Sequence, residues 1–516
     1  MRTGETTAIR QSPWVRWSSY LLALLLVAVA VAPLVLHWLG NVDDQRLVDL
    51  DVYRTGGEAV LQGRPVYDFV TPAPQLLPFT YPPVAALLAT PLAAISWPTA
   101  QWAWTALIFL TLAVTVALSF RAVLDGGAAS SARKASSARK AGSAGSIASA
   151  GAAGAAGAAG AAGAAGAARA TGSAGSAGSA GSADAVGTDG PARAAVPGAV
   201  GGWHAVGRFR WPLLFAALMI GCTYLMPIRD QVRFGQVDIL LVALCLADCT
   251  VRRPVWPRGM LIGLAVAVKL TPGVFLVYLL VTALGPGGRR EQRETFLTAA
   301  LTAALLTLLP FLVIPSDATD FWFRALLDPE RLGANAATTN QSMRGMLIRL
   351  YLPDALTTLL WIALVAVVAW YGFRYARRAL LDGHPVTGAA LVGLMAVLLS
   401  PVAWIHHLAW VVVVIGALAG DGRDPVRIRV AAGVWLYYVL PVPWWGVTIK
   451  AAEIPVLSPV LGKIVQNGFG LGALALVWLL GVWLPRRREA FRAVTPGVHE
   501  NGPAREAGPP PGGTTP

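Results

Sequence analysis

The chain has 516 residues, 55% hydrophobic and only 13% charged, with a mean hydropathy of +0.58. Apolar runs of membrane-spanning length recur from Tyr20 to Leu484, which excludes an ordinary water-soluble domain and marks an all-α, polytopic membrane protein. The net charge of +14 gathers in short clusters at the ends of these runs, as at Arg252 and Arg253 or Arg486, Arg487 and Arg488, so it reports sidedness in a bilayer and not nucleic-acid binding.

Residues 1–18 carry Arg2, Arg10 and Arg16 and read as a cytoplasmic tail. The apolar run from Tyr20 to Leu39 is too long for a signal-peptide core and lacks a small-residue cleavage site, so it is a retained first helix. Within the region 19–120 it delivers an outer loop, 41–80, followed by apolar segments at 82–96 and 100–120. The 82–96 segment is short for a full span and is expected to lie along the surface or to pack as a half-helix.

Residues 121–210 differ in kind. They contain "SSARKASSARKA", "GAAGAAGAAGAAGAAGAA" and "GSAGSAGSAGSA", with basic residues that favour the cytoplasm. The repeats hold nothing large and apolar enough to form a core, so a flexible linker, dispensable for chemistry, is expected. The region 211–484 resumes the membrane bundle, with a second outer loop at 316–350. Its 259–284 segment is broken at "KLTPG", which fits two short helices meeting at a proline. The tail, 485–516, opens with "PRRREAFR" and ends in "GPPPGGTTP", and is read as cytoplasmic and disordered. Termini on the same side require an even number of spans, and about twelve are expected. Cys222, Cys245 and Cys249 all lie in apolar segments and read as small core residues without metal or disulfide roles.

Ionisable groups at membrane depth are costly and therefore point to function. They concentrate at the outer ends of the expected spans: Asp49, Asp51, Tyr53 and Arg54 in the first loop; Tyr81 in "LPFTYPP"; Arg229, Asp230, Arg233 and Gln236 in "IRDQVRFGQVD"; Lys269; Asn340, Gln341, Ser342 and Arg344 in "NQSMRG"; His406 and His407 in "SPVAWIHH". Each has a plainer reading taken singly. Glu58 and Asp68 read better as solvated loop residues, "YPP" as a helix start, and Lys269 as a snorkelling side chain. Their joint placement on one face suggests an active site at a bundle mouth, since a conduction path would put its polar groups near the midplane.

The stretches "DLDVYRTGGEAVLQGRPVY", "LPFTYPPVAALLATPLA", "FGQVDILLVAL", "GLAVAVKLTPGVFLVYLL", "NQSMRGMLIRL" and "SPVAWIHHLAWVV", in this order, resemble glycosyltransferase family 87. These are the polyprenyl-phosphate-mannose-dependent α-mannosyltransferases of actinobacteria, within the GT-C superfamily. The similarity covers about residues 20–484; the alanine-glycine insert departs from the family pattern. The resemblance implies a GT-C-like bundle in the plasma membrane with its site on the extracytoplasmic face. It implies a polyprenyl-phosphate-linked sugar donor and a mannoside acceptor on a glycolipid or lipoglycan: phosphatidylinositol mannoside, lipomannan or arabinomannan. An α-(1→2) product made with inversion is expected, with no cofactor and no metal. Inversion by single displacement needs one base for the acceptor hydroxyl and cationic groups for the leaving phosphate. The family commonly places a catalytic acid in the first outer loop, which makes Asp49 the first candidate and Asp51 the second. In a helix the two lie on different faces, and in a strand on the same face. Lys269 and Arg344, or Arg229 and Arg233 in their place, are candidates for the phosphate; His406 and His407 for phosphate or sugar; Tyr53, Tyr81, Gln236, Asn340 and Gln341 complete the expected substrate-binding set. The rival reading is a transporter or flippase of lipid-linked sugars, which often shows internal repeats; none is visible outside the insert.

Overall fold

A computed structural model describes residues 13–40, 47–125, 201–328, 331 and 333–494. The expected linker from 126 to 200, the first twelve residues and the tail beyond 494 lie outside the described residues. By its internal packing the chain divides into 1–124 with 211–516, and 125–210; the helices below belong to the first unit, apart from residues 201–210 of one that begins at Gly201. Among the described residues there is helix and loop, with two isolated antiparallel bridges, Val70 with Pro78 and Asn340 with Trp404.

Five helices are long and apolar enough to cross a membrane: Trp17–Leu39, Trp97–Ser119, Arg290–Val313, Asp354–Leu381 and Gly468–Val494. Two sharply bent pairs raise the number to seven, Trp211–Thr223 with Met226–Phe234 at 75° and Pro425–Val439 with Val442–Ala451 at 50°. Shorter apolar helices add Pro83–Ala93, Gly273–Leu284, Pro385–Leu399 and Ile405–Ala419. The expected all-α polytopic class stands, while length alone supports five to seven crossings. The reason is visible in Pro385–Leu399, whose residues 387–398 are all buried: a helix wrapped by other helices need not match the bilayer thickness.

The elements that build the site are, in chain order, α1 (Pro13–Leu39), α2 (Val48–Leu61), α3 (Pro83–Ala93), α4 (Trp97–Ser119), α5 (Gly201–Thr223), α6 (Met226–Phe234), α7 (Asp238–Thr250), α8 (Met260–Val268), α9 (Gly273–Leu284) and α10 (Arg290–Leu308). After these come α11 (Pro315–Phe323), α12 (Met343–Ile348), α13 (Asp354–Leu381), α14 (Pro385–Leu399) and α15 (Val411–Ala419), the last entered through a 3-10 turn at Ile405–Trp410. The first loop is thus not extended: α2 occupies its middle and packs on α3, the half-helix expected at 82–96. Gly57 allows their close approach, because a Cβ there would stand 2.6 Å from the Ala89 carbonyl. The break at "KLTPG" is also present. Lys269 leaves α8 in an extended conformation, and Pro272, which has no N–H to offer a continuing helix, stands just before α9.

The two loops expected on the same face touch. The Val66 amide donates to Asp317 at 2.7 Å, Arg324 pairs with Asp68 at 2.6 Å, and Arg331 donates to the Tyr67 carbonyl at 2.8 Å. Asp68 is therefore an ion-pair partner and not merely a solvated loop residue.

Helix α5 begins at Gly201, within the stretch 121–210, of which 125–210 packs as a unit of its own, and the first part of the region from 485 is helical through Val494 in a final helix, α16 (Leu484–Val494). That extension is held by side chains: Arg487 makes two 2.8 Å bonds to the buried Asp424, and Arg488 donates to Thr387 at 2.9 Å.

Candidate active site

Helix α2 begins with "VDLD", and its helical conformation separates the two carboxylates. Asp49 turns toward Gln236, Lys269 and Asp238, and Asp51 toward Arg54 and Glu58. Asp49 is half-buried and crowded by protein, and this desolvation pushes its carboxyl up to about 7 against a hydrogen bond from Gln236 and the nearby Lys269 charge. Desolvation also raises Asp51, with Arg54 opposing it.

One turn along α2, the Tyr53 hydroxyl lies 2.9 Å from the Tyr81 hydroxyl and donates to Gln236 Oε1 at 3.2 Å. Gln236 is delivered by the turn after α6. Gly235 ends that helix at φ 72, a conformation natural only to glycine, and a Cβ there would meet Leu50 at 2.9 Å. The same turn starts α7 at Asp238, whose Oδ1 accepts from Lys269 Nζ at 2.7 Å. The Lys269 ammonium lies 5.3 Å from the centre of the Tyr81 ring and 3.1 Å from His407 Nε2. His407 Nδ1 faces the Trp404 amide at 3.2 Å, and its Nε2 lies 3.8 Å from Asp238 Oδ2. His406 Nε2 stands at the same 3.8 Å from that oxygen, and both atoms are buried without a hydrogen-bond partner.

Asp49, Tyr53, Tyr81, Gln236, Lys269, His406 and His407, taken from five separate stretches of sequence, thus meet around Asp238. Donor atoms of Asp238, His406 and His407 lie within 4.8 Å of one another, a composition able to hold a metal ion. In this structure the Lys269 ammonium is the cation on that carboxylate.

The other expected residues lie elsewhere. Arg233 is exposed, with its guanidinium 4.9 Å from the rings of Trp38 and Phe234, and Arg229 lies on the same short helix beside Asp230. Arg344 stacks over Trp361 at 5.7 Å. Asn340 and Gln341 are fully buried and bond to the protein itself. Asn340 Oδ1 accepts from Ser342 and Ala403, and Gln341 bonds to Thr338, Gln466 and Gly470. With the Gln341 amide donating to the Ala403 carbonyl at 2.7 Å, they tie the loop before the two histidines in place.

The family model for glycosyltransferase family 87 matches residues 189–401. A polyprenol-phosphate-mannose-dependent alpha-(1-2)-phosphatidylinositol mannoside mannosyltransferase of Mycolicibacterium smegmatis is 30% identical over 450 residues, 84% of this chain and 83% of that protein. The chain belongs to glycosyltransferase family 87. A protein of the same description from Mycobacterium tuberculosis is 29% identical over 460 residues, 87% of this chain and 88% of its own length. A polyprenol-phosphate-mannose-dependent alpha-(1-2)-phosphatidylinositol pentamannoside mannosyltransferase of M. tuberculosis is 32% identical over 267 residues, 49% of this chain and 57% of that protein. No solved structure matches the chain. This family 87 member is a membrane glycosyltransferase, as its motifs implied.

Two site residues escaped the sequence reading. Asp238 stood inside a quoted motif without being singled out, although a carboxylate opening the apolar run "DILLVALCLA" is the costly placement that marks function. Gln231 is the other. Buried on α6, it donates to the His406 carbonyl at 2.8 Å and accepts from the Ile239 amide at 3.3 Å, which fixes the histidine turn against the start of α7. Nothing in the local pattern distinguishes it from Gln236.

Proposed function

We propose that this protein transfers mannose from a polyprenyl-phosphate-mannose donor to a mannoside of a phosphatidylinositol-mannoside-type glycolipid, at the extracytoplasmic face of the plasma membrane. The bond formed is α-(1→2), made with inversion. One observation carries the reading: a half-buried carboxyl, Asp49, open enough to reach a substrate, stands among Gln236, two tyrosine hydroxyls and a lysine ammonium held by Asp238. The names and coverage of the mycobacterial relatives supply the substrate class.

In a single displacement the acceptor hydroxyl attacks the anomeric carbon as the bond from that carbon to the phosphate oxygen breaks. The hydroxyl proton needs a base, and the bonding pair leaves on the phosphate, which gains negative charge. Asp49 takes the proton, and a carboxyl pushed up to about 7 is a stronger base than an ordinary one while still ionised to a useful extent at neutral pH. Lys269 meets the phosphate. An ammonium has three donors, of which one goes to Asp238 and one faces His407 Nε2 at 3.1 Å, which leaves the third for the phosphate. Asp238 is then a positioning residue that holds the ammonium where negative charge develops. Tyr53, Tyr81 and Gln236 hold sugar hydroxyls beside Asp49. Asn340 and Gln341 act by holding the histidine loop.

The test is transfer by the purified full-length protein from radiolabelled polyprenyl-phosphate mannose to phosphatidylinositol mannoside, with lipomannan and arabinomannan offered in parallel. A lipid product whose label is released as mannose by an α-(1→2)-mannosidase is expected with the first acceptor. A β-linked product, or movement of lipid-linked sugar across vesicles without transfer, overturns the reading.

A further inference from the structure

Far from Asp49, at the start of α14, the bundle lines an open cavity of about 300 Å³ that the transferase chemistry does not use. Its polar wall comes from Arg378 and Asp382 at the end of α13, His384 and Thr387 at the start of α14, and Arg488 and Arg492 on α16. Helix α14 has 15 residues and runs from this cavity to the turn carrying His406 and His407, so about 22 Å of helix separates the two places.

The charges in the wall do not cancel in pairs. Arg378 has Asp382 at 3.6 Å in an exposed pair. Arg488 bonds to a neutral hydroxyl, Thr387, and the nearby Arg487 is already engaged by Asp424. Among the described residues Arg492 and Glu489 make no ion pair, and both lie on the rim. Burial, then the charges of Arg488 and Arg492, hold the His384 ring down to about 4, so it stays neutral and the arginines alone supply the positive field.

The wall also has a built shape. The last apolar helix makes a π-turn at Leu479–Trp483, which brings Leu480 and Gly481 to the cavity. Tyr375 packs so closely on Gly481 that a Cβ there would stand 2.4 Å from its ring. Above Tyr375 on the same face of α13, Tyr371 stacks at 6.1 Å, and Trp370 and Val367 are 68% and 54% exposed. An apolar track that a hydrocarbon chain can follow thus descends to a guanidinium-lined pocket.

We infer that this cavity binds a phosphate group, with Arg488 and Arg492 as its principal donors. Guanidinium forks suit phosphate oxygens, and the volume is at the small end of ligand pockets, enough for a headgroup phosphate and glycerol but not for a sugar chain. The track along Val367, Trp370 and Tyr371 favours an anionic phospholipid as the carrier of that phosphate.

The test uses the full-length protein in detergent, titrated by native mass spectrometry with phosphatidylglycerol, with phosphatidylcholine and with inorganic phosphate. Wild type is expected to retain phosphatidylglycerol. Loss of a charge-assisted hydrogen bond should weaken retention about tenfold or more in Arg488→Gln, and less in Arg492→Gln. Retention of inorganic phosphate with the same dependence on these arginines supports the site and names free phosphate as its source. Arg492→Gln, whose side chain is exposed and makes no hydrogen bond or ion pair among the described residues, keeps the test valid if Arg488→Gln fails to fold. Equal retention of phosphatidylglycerol and phosphatidylcholine, or retention by wild type that neither substitution lowers, overturns the inference.

Discussion

Helix α2 and the segment 340–349 both bring runs of polar residues to the same end of the bundle, yet they spend them in opposite ways. In α2, Asp49 and Tyr53 point away from their own element, toward a glutamine, a lysine and a second tyrosine carried by other helices. In 340–349 the polar atoms turn back on the scaffold. Asn340 bridges two backbone segments, Ser342 caps its helix and bonds to the Pro401 carbonyl, and Arg349 donates to Asn467 and to the carbonyls of Ala337 and Asn340. Both patterns are costly at membrane depth, so cost alone does not separate a reacting group from a strut. What separates them is whether a residue's hydrogen bonds are already used.

The sharpest way to break this contrast is Asp49→Asn. Removing a general base lowers the rate of mannosyl transfer by about 10²–10⁴, with insertion and expression unchanged. Because the parent carboxyl titrates at about 7 and must be ionised to accept a proton, its kcat/KM should fall as pH drops below about 7, and not near 4 as for an exposed aspartate. A stability readout gives the opposite sign. A raised carboxyl binds its proton more tightly in the folded chain, so its contribution to stability is full below about pH 4 and is lost as pH rises to about 7. Asp49→Asn should therefore melt above the parent at pH 8, with the gap narrowing as pH falls through 7 and closing only below about pH 4. An active Asp49→Asn removes the proposed mechanism.

Next in size is Lys269→Gln, which takes away the one ammonium beside Asp238. The loss of an electrostatic group aimed at developing charge costs about 10²–10³ in kcat. Asp238→Asn should lower kcat in the same direction with little change in KM for the acceptor, because it acts through the lysine. If a divalent cation restored Lys269→Gln, or EDTA silenced the parent, the histidine-aspartate cluster would be a metal site and the lysine only its neighbour.

How much of this was legible in the sequence follows from how local each signal is. The all-helical membrane class, the break at Lys269 and the shortness of the 82–96 segment are written in run lengths and prolines, and all three are present. The meeting of Asp49, Tyr53, Tyr81, Gln236, Lys269 and the two histidines came from a resemblance in motif order, and the distances now join them. Asp238 was hidden by its position, since it reads as the polar end of an apolar run until Lys269, 31 residues on, is seen to fold back onto it. Asn340 and Gln341 were legible as unusual but not as structural, because their partners at Ala403, Gln466 and Gly470 are set by tertiary packing. The crossing number stays an expectation for a similar reason: an apolar run shows burial but not whether lipid or protein does the burying.

The segment 340–349 supplies the third test. Asn340→Ala leaves buried backbone amides of Ser342 and Ala403 without their acceptor, each at a cost of about 1–3 kcal/mol. The expected outcome is a lower melting temperature and a smaller folded yield, with kcat per folded molecule within a few-fold of the parent. A fully folded Asn340→Ala whose KM for the donor rises sharply would move this residue from the scaffold to the substrate.

The smallest expected effect belongs to Asp51→Asn, and it decides whether α2 has one working face. Asp51 lies two residues from Asp49, so loss of charge from the loop, a change in helix propensity or a weaker helix dipole interaction would act on both positions nearly alike. What differs is direction. Asp51 faces Arg54 and Glu58, and Arg54 in turn donates to the Ile95 carbonyl at 3.2 Å, which ties that face to the end of α3. Replacing Asp51 leaves Arg54 its carbonyl partner and removes one part-exposed charge contact, the kind worth about 0.2–1 kcal/mol. The variant should keep its transferase rate within about threefold, with a slightly lower melting temperature, and Glu58→Gln should be milder still. Assayed beside Asp49→Asn at pH 7.5, a loss in Asp51→Asn comparable to that in Asp49→Asn would mean that the helix presents its other face to the substrate, and the base would have to be reassigned.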